Sequence, residues 1–65
     1  MNRSDFYFVS IVPSGRGLFT ATISDFKNNK LTAIFPAVIY DEFRSEQISE
    51  TEIIEYVIES NNESQ

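Results

Sequence analysis

Residues 48–60 read ISETEIIEYVIES, and how this stretch folds dictates what the rest of the chain must supply. Ser49 is a good N-cap residue, and Glu52 stands three positions later, the spacing of a capping box. Ile48, just before the cap, is placed to pack on Ile53 as a hydrophobic staple. Beyond the cap, Ile53, Ile54, Val57 and Ile58 recur at helical spacing and form one apolar stripe. Glu52, Glu55 and Glu59 project from the opposite side, with Tyr56 at the boundary. The spacing predicts an amphipathic helix whose stripe needs a cover, and the strand-rich segment before it is the available one.

That segment divides at its turn residues. Residues 5–12, with the core FYFVSIV, are β-branched and aromatic and read as a first strand. Strict alternation puts Tyr7, Val9 and Ile11 on one face and Phe6, Phe8, Ser10 and Val12 on the other. Pro13-Ser14-Gly15-Arg16-Gly17 is expected as a five-residue turn. Residues 18–26 form a second strand, with Phe19, Ala21 and Ile23 sharing a face with Tyr7, Val9 and Ile11. Lys27-Asn28-Asn29-Lys30 turns the chain again, since Asn tolerates the left-handed region that tight hairpins need. Residues 31–40 read as a third strand, bent near Pro36, which lacks a donor and belongs on an edge. A two-residue loop before it would turn Ile34, Val38 and Tyr40 to the core. A three-residue loop would turn Phe35, Ala37 and Ile39 there instead. Residues 41–47 read as a polar connection with at most one helical turn.

The pattern therefore predicts an α+β domain: a three-stranded antiparallel β-meander followed by one C-terminal α-helix packed on one face, β-β-β-α. All 65 residues belong to this single small domain, with residues 1–4 and 61–65 as frayed tails.

Composition removes most chemistry. There is no Cys and no His, which eliminates disulfides, thiolate or imidazole metal sites, and Ser-His or Cys-His catalysis. Asp41, Glu42 and Glu46 lack the glycine-centred loop of an EF-hand and count as connection, not as a metal site. Gly15-Arg16-Gly17 matches neither phosphate-loop pattern. A glycosidase would need a cleft that a chain of this length hardly builds. No enzyme, cofactor or metal is expected. The opening residues, MNRSDF, lack the basic flank and apolar run of a signal peptide, and the longest apolar stretch is too short to span a bilayer. A soluble, cytoplasmic protein without membrane contact is the expectation.

Charge is distributed unevenly. Residues 1–40 hold four cations and two acids, a net +2, while residues 41–65 hold Arg44 against eight acids, a net −7. No Lys or Arg stands three or four positions from Glu52, Glu55 or Glu59, and Glu55 and Glu59 repel at i, i+4. Such a ridge serves solubility, or it docks a basic protein. In the second case Glu52, Glu55, Glu59 and Tyr56 are the partner-binding residues. An inhibitor or nucleic-acid-mimicking decoy of phage or mobile-element type fits this size and charge, because duplex phosphates also present regularly spaced negative charge. The alternative is a structural or regulatory subunit. Its uncharged first strand, through Phe6, Tyr7, Phe8, Ser10 and Val12, would form a homodimer or complete a partner's sheet. Single-stranded nucleic acid ranks third: Phe6, Tyr7 and Phe8 suggest a stacking platform, but the cations sit in turns at opposite ends of the meander.

Overall fold

The computed structural model describes residues 3–63. After a 3-10 turn, Arg3–Asp5, come three strands, β1 (Phe6–Gly15), β2 (Leu18–Asp25) and β3 (Lys30–Pro36), and two helices, α1 (Ala37–Arg44) and α2 (Glu50–Glu63). The strands form an antiparallel sheet in the order β1-β2-β3, with the helices following, so the α+β class and the β-β-β-α order hold.

The core is where the helix stripe meets the inner face of the sheet. Ala21, Ile23, Ala33 and Phe35 from β2 and β3 are buried together with Ile53, Ile54, Val57 and Ile58 from α2. Ala21 and Ala33 are direct neighbours across the β2–β3 pair; their small side chains leave room for a helix to approach. α2 then runs beyond the expected boundary at Ser60. Asn61 shows why: its Nδ2 donates to the Val57 carbonyl at 2.8 Å and to the Thr32 carbonyl of β3 at 3.0 Å. The expected tail at 61–65 is thus helical through Glu63, and residues 64–65 lie outside the described residues, as do residues 1–2 of the expected N-terminal tail.

Four local readings are corrected or decided. The first concerns the β1–β2 turn. Strand pairing continues to Gly15↔Leu18, so the loop is only Arg16-Gly17. Both take positive φ, 55° and 73°, as a mirror-image two-residue hairpin turn requires. The second concerns the faces of β1. An irregularity between Phe8 and Ser10 breaks the alternation, so that Phe8 faces Ile23 while Ser10 faces Thr22. Phe6, Phe8 and Ile11 therefore pack toward the core, whereas Tyr7, Ser10 and Val12 share the outer face, and Val9 is exposed at the bulge. A single extra residue reverses every side chain on one side of it.

The third, left open between two registers, is the β2–β3 connection. Asp25 N–H donates to the Asn29 carbonyl at 3.0 Å, closing a three-residue loop in which Asn28 has φ 68°. That loop turns Leu31, Ala33 and Phe35 inward and leaves Ile34 outside, the second of the two registers open from the sequence. The fourth is the largest. The third strand stops at Pro36, and residues 37–44 are a helix, not strand and connection. Pro36 remains extended, at φ −71° and ψ 159°, and Ala37 N–H still reaches the Gly17 carbonyl at 3.0 Å. From there Ile39, Tyr40 and Phe43 meet the core at helical spacing. Tyr40 stacks on Phe19 with centroids 3.9 Å apart, and Phe43 lies 5.5 Å from Phe8. So the inner face of the sheet is covered by two helices, and the outer face by none.

Candidate functional site

The helix predicted to carry the site starts as its cap demands. Glu52 N–H donates to Ser49 Oγ at 3.3 Å, and Ile53 N–H to the Ser49 carbonyl at 3.1 Å. Because the four apolar residues of α2 point into the core, Glu52 and Glu59 are driven to the exposed side, where Glu50 and Thr51 join them. Glu55 and Tyr56 are only half-exposed. Tyr56 sets its ring edge against Phe35, with centroids 5.6 Å apart and planes at 79°, so most of its body supports the core and its rim faces out. The ridge is therefore uneven: two exposed carboxylates flank one that is partly sheltered.

α1 adds to this side what the sequence pattern did not reveal. Its exposed Asp41 and half-buried Glu42 lie on the same short helix as Tyr40. Arg44 places its guanidinium 5.8 Å from the centroid of the Tyr40 ring, a cation–π distance. Between the end of α1 and the start of α2 is a depression of about 490 Å³, lined by Phe43, Arg44, Glu46, Ile48, Ser49 and Glu50. It mixes one cation with two acids over an apolar floor. Its sequence signal was α1, which was hidden in what read as strand to Tyr40 and polar connection beyond.

A second depression, about 530 Å³, opens at the β2–β3 loop and includes Asp25, Phe26, Lys27 and Asn29. Asp5 lines it as well, and the Asp25 carboxylate is already engaged. Asp25 Oδ1 accepts from the backbone N–H groups of Lys27 and Asn29, each at 2.8 Å, and Oδ2 accepts from Asn29 Nδ2 at 3.0 Å. The Asn29 side-chain bond and then the Asn29 backbone bond, each larger than the opposing desolvation, hold its pKa below the usual 3.8, with lesser help from the Lys27 backbone bond and charge. An acid held ionised by three donors is a loop fastener, not a proton-transfer group.

The residues of the first strand are split. Phe6 and Phe8 face inward and are half-buried, while Tyr7, Ser10 and Val12 face outward. Their side chains therefore do not share one face. The edge of β1 is also interrupted twice, between Phe8 and Ser10 and between Pro13 and Gly15. Arg16 sits in the turn at one end of β2, and Lys27 and Lys30 sit at the other end. Among the described residues, no three acidic side chains come together as metal ligands, and no helix is long and apolar enough to cross a membrane. No protein-family model, no curated protein and no solved structure matches the chain.

Proposed function

We propose that this chain is a small non-catalytic protein-binding module that offers its helical side to a basic protein surface, as an inhibitor or nucleic-acid-mimicking decoy does. One observation supports the reading, the segregation of charge by layer. Eight acids, Asp41, Glu42, Glu46, Glu50, Glu52, Glu55, Glu59 and Glu63, fall within α1, α2 and the link between them. The one cation in that part of the chain, Arg44, lies against Tyr40. A field of one sign steers an oppositely charged partner and rejects acidic ones. Glu52 and Glu59 supply direct contacts, Glu55 the centre of the ridge, and the rim of Tyr56 an anchor of mixed polarity.

The test uses the chain immobilised beside its Glu52→Gln, Glu55→Gln, Glu59→Gln triple variant, each exposed to extract at low and at high salt. The expected result is a set of basic proteins held by the parent, released by salt, and absent from the variant. Retention of the same proteins by the triple variant would overturn the assignment. Gln keeps the shape and helix preference of Glu, so the triple variant is expected to stay folded, which circular dichroism checks.

A further inference from the structure

The outer face of the sheet, on the side away from both helices, raises a separate question. Tyr7, Val9 and Val12 of β1, Leu18 of β2 and Ile34 of β3 are between 38% and 60% exposed there. Phe26, at 79% exposed, leans on Tyr7 at one end, with ring centroids 5.5 Å apart. Between these apolar groups stand hydroxyls, chiefly Thr20, Thr22 and Thr32, on the same face by their strand pairing. Among the described residues Lys30 is the one charged residue at an outward strand position, and it lies at the margin, opposite Ser24. Among the described residues no acid stands at an outward strand position, although the chain as a whole carries −5.

We infer that this face is where a second copy of the chain docks, sheet against sheet. Two molecules of equal negative charge repel each other through any surface that carries acids. The outer sheet face is neutral but for Lys30, so it is the surface on which like copies meet without opposing carboxylates. A two-fold axis through it sets aliphatic groups on aliphatic groups and hydroxyls within reach of hydroxyls, as an isologous contact requires. Edge-to-edge joining is less suited. β1 is broken by two irregularities and contains Pro13, and a carbonyl of β3 is taken by the Asn61 amide. These are devices that keep strand edges from extending a sheet. Size sets the strength. The broadest projection of the molecule, 30 × 24 Å, bounds the contact at about 700 Å² per partner, under the ~800 Å² of a standard interface. The dimer is therefore weak, reversible and dependent on concentration. This inference concerns the side opposite the acidic layer, and either can fail without the other.

Sedimentation equilibrium over a wide concentration range tests it, on the parent and on Ile34→Glu and Val12→Glu. Both positions are about half exposed in the single chain, so the monomer tolerates the change, which circular dichroism checks. The expected result is a monomer–dimer equilibrium that either variant weakens by about ten-fold or more, because it buries an unpaired charge. Glu52→Gln, on the helical side, is expected to leave it unchanged. A monomer at every concentration overturns the inference. So does a dimer that both sheet variants leave intact, and so does one that only the helix variant disrupts. Thr22→Cys supplies an independent check in a chain without cysteines. A short bismaleimide is expected to join Thr22→Cys chains across a face-to-face contact, whereas Glu50→Cys chains stay single.

Discussion

Asp25 shows how one side chain organises a loop. Its carboxylate gathers the N–H groups of Lys27 and Asn29 and the Asn29 amide, and so sets the three-residue connection that turns Phe35 inward. Those donors bind the ionised form, which is why its pKa lies below 3.8. The sign follows: a carboxyl group with a depressed native pKa stabilises the fold at higher pH, and the contribution fades as pH falls through 3.8 toward the native value. Asp25→Asn is expected to destabilise the protein at neutral pH, because it sets an amide donor against the Asn29 amide. Its deficit relative to the parent should shrink at a pH below 3.8, where the parent's unfolded chain binds a proton that the folded carboxylate resists. Urea midpoints of both chains at the two pH values measure this. A deficit that is the same at both would show that the ionised state contributes nothing.

At the scale of elements, the end of α1 is a strained Schellman turn. Gln47 N–H reaches the Glu42 carbonyl at 2.8 Å and Glu46 N–H the Phe43 carbonyl at 3.2 Å, with Glu46 at φ 65°. Glycine is the residue suited to that position. Glu46→Gly is expected to stabilise the fold by about 1 kcal/mol, by removing the left-handed Cβ conflict, read as a higher urea midpoint at unchanged slope. A lower midpoint would mean that the Glu46 side chain contributes more than its backbone strain costs. The same helix marks the limit of what local sequence shows. α2 was legible because its cap and its stripe are both encoded within thirteen neighbouring residues. α1 was not, because residues 37–40 are apolar and partly β-branched, follow a proline, and look like strand. What makes them helical is distant: Tyr40 meeting Phe19 and Phe43 meeting Phe8. The faces of β1 were misread for a related reason, since nothing in FYFVSIV announces the extra residue between Phe8 and Ser10. In the candidate site, exposed Glu52 and Glu59 follow from helical spacing. The shelter of Glu55 and Tyr56 depends on how α2 seats against Phe35, which spacing does not specify.

The whole molecule is a charged layer laid on a nearly neutral sheet, and this has an energetic consequence. Two like charges about 10 Å apart in water repel by about 0.4 kcal/mol, and the helical layer holds eight acids against Arg44. Many such pairs oppose folding, since the unfolded chain lets them separate. Salt shortens their reach, from a screening length of about 30 Å at 0.01 M to about 8 Å at 0.15 M. The melting temperature should therefore rise between those salt concentrations, and a gain of about 1 kcal/mol corresponds to roughly 4–8 °C in a domain of this size. The measurement is made at protein concentrations low enough to keep the chain monomeric, so that strengthened dimer contacts do not contribute. A melting point that stays flat or falls with salt would mean that the layer is balanced internally. It would then have little unspent field to offer a basic partner. A rise places the same carboxylates under mutual repulsion in the free state, and a cationic surface relieves that repulsion on binding. Such a partner should raise the melting point most at low salt, where the acids repel one another hardest.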